Sequence, residues 1–169
     1  EALNIDSASF HQIKETCAAN LEQMQAHIQD LVRKRGKHHN PVTGSGGMLI
    51  GSVREVGAWF LEGGHRSESV KPGDRIATLV SLTLTPLELH KIKKIHLDLD
   101  RVDVEGHAIL FQSGIYAKLP RDIPEPLALA VLDVCGAPAQ TALLCKPGQT
   151  VVVVGGGGKS GVLCLHEAK

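Results

Sequence analysis

Gly156, Gly158 and Gly161 satisfy the spacing G-x-G-x-x-G directly after the apolar run Val151-Val152-Val153-Val154. A strand that runs into such a turn lets the backbone approach a pyrophosphate closely, and the unpaired N–H groups at the start of the next helix face the negative charge. The chemistry on offer is dinucleotide binding, with Gly156, Gly157, Gly158, Lys159, Ser160 and Gly161 as the contacting residues. Lys159-Ser160 invites comparison with the phosphate-binding pattern G-x-x-x-x-G-K-[ST], but that pattern needs glycine at position 153, which is Val. A glycine-rich hairpin without a ligand is the third reading. Only Val162 to Lys169 follow the turn, so the nucleotide domain it announces is expected to extend past this sequence, which reads as a fragment.

The elements that must position this turn are set by an ordinary globular composition. The chain has 169 residues, 43% of them hydrophobic, which is enough for a real core. Eighteen basic residues balance eighteen acidic ones, and aromatic residues make up 3%, so neither a nucleic-acid surface nor a base-stacking platform is indicated. Cys17, Cys135, Cys145 and Cys164 form no C-x-x-C pair and sit among apolar residues, as reduced core thiols of a cytoplasmic protein would. No apolar run approaches the roughly 20 residues that span a bilayer.

From Ser9 to Arg35, Phe10, Ile13, Cys17, Leu21, Met24, Ile28 and Leu31 recur at the spacing of one helix face. One helix is expected there, opened by a Ser9–Gln12 capping box and stopped by Gly36. Met48 to Val56 reads as a strand closed by Gly57. Lys71-Pro72-Gly73-Asp74 reads as a turn, with Arg75 to Thr85 as the strand after it. The same device recurs at Lys146-Pro147-Gly148-Gln149 before Val151. Leu87 to Asp103 fits either a helix or an irregular excursion. Ala108 to Phe111 and Ile115 to Leu119 read as short strands, and Leu127 to Leu144 as an apolar helical stretch. The expected architecture is α/β overall, with a β-rich domain over 1–126, followed over 127–169 by a linking helix and the opening β-α unit of a parallel sheet.

Three blocks, Gly51 to Gly57, Val70 to Ile76 and Lys146-Pro147-Gly148 leading into the glycine turn, resemble in order and spacing the medium-chain dehydrogenase/reductase superfamily. That superfamily joins a GroES-like β domain to a Rossmann domain. More narrowly, Leu3 to Phe10, His39 to Gly51, Gly136 to Gln140 and Gly158 to Gly161 resemble the 3,5-diaminohexanoate dehydrogenase family of anaerobic lysine fermentation. The resemblance implies NAD-dependent oxidation of the C3 amine of (3S,5S)-3,5-diaminohexanoate to 5-amino-3-oxohexanoate and ammonia by a cytoplasmic homodimer acting on a small diamino acid. Two other outcomes fit the superfamily: a zinc-free quinone or enone reductase, and a non-catalytic GroES-like binding module.

Many members of the superfamily hold a catalytic zinc. Where the first cysteine ligand is expected this chain has Asp6-Ser7, and where Gly-His-Glu is expected it has Gly46-Gly47-Met48, so no catalytic zinc is expected. The resemblance then leaves Asp6 either to hold the substrate ammonium or to cap the following helix. His39 is either a base or an ordinary loop histidine. Ser7, Thr43 and Ser45 are the pocket-lining candidates. Cys135 falls near the expected nicotinamide position or is an inert thiol.

Overall fold

The computed structural model describes residues 1–57 and 70–169, which form two compact units, Glu1–Leu119 and Pro120–Lys169. The chain is mixed α/β, and its sheet is antiparallel.

In the first unit six strands lie in the order β4-β5-β1-β2-β3-β6. They are β1 (Ala2–Asn4), β2 (Met48–Ser52), β3 (Arg75–Thr78), β4 (Leu87–His96), β5 (Arg101–Ala108) and β6 (Tyr116–Lys118). The short strand β1 sits inside the sheet, with Leu3 opposite Leu49 on one side and Val102 on the other. Its residues are therefore buried, and the chain leaving it at Ile5 and Asp6 emerges from the middle of the fold.

The helical pattern folds as two helices, α1 (Ser7–Thr16) and α2 (Leu21–Arg35). Ala18 and Ala19 take left-handed φ values of 46° and 56° between them, and the Asn20 side chain accepts from the Gln23 N–H to start α2. The periodicity carries through the break because both helices bury the same face: Phe10, Ile13, Cys17, Met24, Ile28 and Val32 share one cluster with Leu3, Ile92, Val102 and Val104 of the sheet. Asn20 is itself a strong N-cap residue, a signal that the unbroken apolar spacing masked. The Ser9–Gln12 box does not form. Asp6 caps α1 by accepting from the Ser9 N–H, while Gln12 bonds Thr16. Gly36 does end α2, in a left-handed conformation at φ 64°.

Residues 87–103, which the sequence left between helix and irregular chain, enter a β4–β5 hairpin. Irregularities between Leu89 and Lys91, and again between Ile92 and Lys94, insert extra residues into β4. Leu87, Leu89, Ile92 and Ile95 therefore recur at mixed intervals that imitate a helix while facing the core. The strand expected over Arg75 to Thr85 stops at Thr78 and gives way to a 3₁₀ turn, Leu82–Leu84. The strand expected from Met48 stops at Ser52, and Ala108 to Phe111 adds only Ala108 to β5.

The second unit holds α3 (Glu125–Leu132), α4 (Gly136–Leu144) and α5 (Lys159–Glu167). The two Lys-Pro-Gly devices are the same turn: Gly73 and Gly148 have φ 90° and 86°, and each turn is closed from position 71 or 146 to the residue three further on. Val151 to Val154 does not form the expected strand. No described strand pairs with it, and Val152 and Val154 are 82% and 96% exposed. A strand exists only through a neighbour, and the sheet of the first unit ends at β4 and β6. Among the described residues no single helix is long and apolar enough to cross a membrane.

Candidate functional site

The chain between α2 and β2 folds back over the start of α1 because two glycines permit contact that no side chain would allow. A Cβ on Gly47, whose φ is 95°, would lie 2.1 Å from the Asn4 carbonyl oxygen and 2.7 Å from the Asp6 nitrogen. One on Gly46 would lie 2.7 Å from the His38 carbonyl oxygen and 2.8 Å from the Thr83 nitrogen. The Gly46-Gly47 pair is thus wedged against Asp6 and His38, two segments far apart in sequence.

The two carboxylate oxygens of Asp6 differ in their surroundings. Its Oδ1 accepts from the Ser9 N–H at 3.0 Å as the cap of α1, while its Oδ2 is buried without a hydrogen-bond partner. The second orphaned atom among the described residues is Nε2 of His38, a residue with 0% exposure. The other ring nitrogen, Nδ1, lies 3.1 Å from the Gly46 carbonyl. A carbonyl only accepts, so Nδ1 carries the proton and Nε2 presents a lone pair. Burial pushes the His38 pKa down to about 4, against the opposing pull of the Gly46 carbonyl and the Asp6 charge. The ring is therefore neutral at physiological pH.

Both orphaned atoms are hydrogen-bond acceptors. A buried acceptor without a donor costs about 1–3 kcal/mol, and what would satisfy either atom is an N–H donor, such as an ammonium.

Beside the Asp6 cap the Ser9, Thr43 and Ser45 hydroxyls form a closed triangle, with Ser45 Oγ 3.0 Å from Ser9 and 3.1 Å from Thr43. Asn40 shapes the loop: its Oδ1 accepts from the Val42 N–H at 2.9 Å and its Nδ2 donates to Gln12 at 2.8 Å. Of the residues chosen from sequence, Asp6, Thr43 and Ser45 are thus tied to one segment through Ser9. Ser7 turns instead to the β4–β5 connection and donates to Asp100 at 2.6 Å. His39 is half-exposed, and it is its neighbour His38 that is buried with a free nitrogen. Nothing in the local pattern separates two adjacent histidines. Only burial against Gly46 does so.

Acidification gives a test of the His38 assignment. A histidine with a folded pKa of about 4 and an unfolded pKa of about 6.5 contributes stability that is complete above the unfolded value and is lost as pH falls through that window. The expected loss is on the order of 3 kcal/mol by pH 4. Urea unfolding of the 169-residue chain between pH 7 and 4, with the His38 ring followed by NMR, checks it. A His38 resonance that titrates above pH 6 would remove the assignment.

In the second unit the glycine turn leads directly into α5. Gly155 has φ 78°, Gly158 precedes α5 as its cap, and a Cβ on Gly161 would lie 2.4 Å from the Gly155 oxygen, so helix and turn approach closely only with glycine there. A Cβ on Gly158 would meet no atom nearer than 3.6 Å, and one on Gly157 none within 4 Å, which leaves that side of the turn open. Lys159 reaches Asp133 at 3.7 Å, Ser160 is half-buried in the first turn of α5, and Cys135 donates its thiol to the Leu132 carbonyl at 3.3 Å between α3 and α4.

Comparison with known proteins adds the family. Residues 1–120 match the model of the L-erythro-3,5-diaminohexanoate dehydrogenase N-terminal domain. A protein of Acetoanaerobium sticklandii named L-erythro-3,5-diaminohexanoate dehydrogenase is 57% identical over 169 residues, which is 100% of this chain and 48% of that protein. A protein of the same name from Fusobacterium nucleatum is 56% identical over 167 residues, 99% of this chain and 47% of its own. This chain spans about half the length of these curated relatives. With a family model over most of its length and this identity throughout, the chain belongs to the L-erythro-3,5-diaminohexanoate dehydrogenase family.

Proposed function

We propose that this chain is part of an enzyme that oxidises the C3 amine of 3,5-diaminohexanoate with NAD to an imine, which water hydrolyses to 5-amino-3-oxohexanoate and ammonia. The observation that carries the reading is two buried acceptors without partners, Asp6 Oδ2 and His38 Nε2, on segments that the Gly46-Gly47 pair packs against, each suited to an amine. Asp6 would hold the substrate ammonium by charge. The neutral imidazole of His38 would take an N–H or a proton, leaving the nitrogen lone pair free to assist loss of the C3 hydrogen. Thr43 and Ser45 would orient the polar end of the substrate.

The residues of the second unit fit a dinucleotide. Gly155 supplies the left-handed turn, Gly161 the close packing, and the open side of Gly157 and Gly158 the space for a pyrophosphate at the start of α5. Bound there, NAD would supply the hydride acceptor. The exposed Val152 and Val154 support a Rossmann reading in which further parallel strands cover this run. The antiparallel sheet of the first unit, which buries its helices on one face, is the part we assign to the GroES-like domain.

The test uses a protein extended to the length of the relatives. It should reduce NAD with 3,5-diaminohexanoate, and Gly158→Val should weaken NAD binding by at least about tenfold, since a branched side chain would fill the approach to the pyrophosphate. Turnover of quinones but not of the diamine would replace this function with that of a quinone reductase. Unchanged NAD affinity in Gly158→Val would remove the turn from the cofactor site.

A further inference from the structure

We propose that the β4–β5 hairpin carries a binding site for a borderline divalent cation such as Zn²⁺, built from Glu88, His90 and His107 and separate from the Asp6–His38 pair. The hairpin brings these residues together by register. Glu88 lies directly opposite His107, and the irregularity between Leu89 and Lys91 leaves His90 as the extra residue of β4. The strands can close on it because position 106 is glycine, where a Cβ would lie 2.2 Å from the Glu88 carbonyl oxygen. As a result, one ligand atom from each of the three side chains lies within 4.8 Å of the others. Two imidazoles and one carboxylate, with the remaining positions open to water, form a donor set that suits zinc and its first-row neighbours better than magnesium or calcium.

The hydrogen bonds also say what competes with the metal. Arg54 has only donors, and its Nη1 lies 2.7 Å from His107 Nε2, so that nitrogen accepts and the His107 proton sits on Nδ1. Nδ1 in turn lies 2.9 Å from His90 Nε2, which must accept, so the His90 proton sits on its Nδ1, 3.9 Å from Glu88. The result is a one-directional donor chain from Arg54 to Glu88 through two neutral rings. A cation bound between His107 Nδ1 and His90 Nε2 takes the place of the bridging proton. That proton moves to His107 Nε2, and Arg54 must then withdraw. Arg54 and the metal are therefore mutually exclusive on His107. Among the described residues, the charges around the site include Lys91 and the Lys93–Glu105 pair at 2.9 Å, whose opposite signs largely offset each other.

Zinc titration of the 169-residue chain by calorimetry tests the site, with cobalt absorption as a second readout of the coordinating atoms. We expect one saturable site per chain. His90→Ala and His107→Ala should each weaken it at least about tenfold, since loss even of outer-shell partners costs about 10–100-fold. Arg54→Gln should tighten it severalfold by removing the competitor. All three residues are exposed or on the rim of the fold, and circular dichroism of each variant checks that the hairpin is kept. Absence of saturable zinc binding overturns the site. So does binding that survives both histidine substitutions and vanishes on thiol alkylation, which would place the metal on the free cysteines. An Arg54→Gln protein with unchanged or weaker affinity overturns the competition.

Discussion

Gly47→Ala is expected to cost the first unit about 3 kcal/mol or more, because it combines backbone strain with overpacking against main-chain atoms that cannot move aside. The added methyl would fall 2.1 Å from the Asn4 carbonyl oxygen and 2.8 Å from the Ile5 Cα, both within or just beyond the central strand β1, at a residue whose φ of 95° already excludes most side chains. Against the 5–15 kcal/mol that holds a typical domain together, this is a large share. Gly44 provides the control. It also has a left-handed φ, 72°, but nothing lies within 4 Å of a Cβ there, so Gly44→Ala should show strain alone, about 1 kcal/mol. Urea unfolding of both variants followed by circular dichroism separates the two effects. Equal midpoints would mean that Gly47 is required only for its dihedral angle and that the main chain around Asp6 yields to an added methyl.

Asp6→Asn should abolish most of the activity of the extended enzyme while leaving the fold intact. Asparagine caps a helix as well as aspartate does, so the bond from the Ser9 N–H to the side chain survives and stability should change by less than about 0.5 kcal/mol. What disappears is the negative charge on the second, unpartnered oxygen. If that charge holds the substrate ammonium and sets up proton transfer, kcat/KM for the diamine should fall by about 10²-fold or more. Asp6→Ala should show the same loss of activity plus the cost of the missing cap, about 1 kcal/mol. An Asp6→Asn enzyme with wild-type kcat/KM would reduce Asp6 to a cap and remove the carrying observation from the proposed function.

The type of local structure was legible wherever one residue sets a dihedral or a cap by itself. Gly36 as a helix stop and the two Lys-Pro-Gly turns follow from what glycine and proline permit without reference to any distant partner. Asp6 was legible as a helix cap for a similar reason: its type and its place before a helix suit it to one, and the structure has its Oδ1 in that role while Oδ2 is left without a partner. The order of motifs also pointed to the family.

Other features were decided only by contacts between residues far apart in the chain. The break at Ala18-Ala19 was hidden because two helices bury one continuous face, and the β4–β5 hairpin was hidden because its irregularities turn an alternating pattern into a nearly helical one. The choice between His38 and His39 rests on the Gly46-Gly47 wedge, which buries one ring against a carbonyl and leaves its neighbour half-exposed. Val151 to Val154 states the same lesson in reverse: β-branched residues supply the propensity for a strand, but without a hydrogen-bonding neighbour among the described residues they form none. Propensity and spacing act within a few residues, whereas burial and strand pairing belong to the whole fold, so a lone pair with no donor becomes visible only after the chain has closed around it.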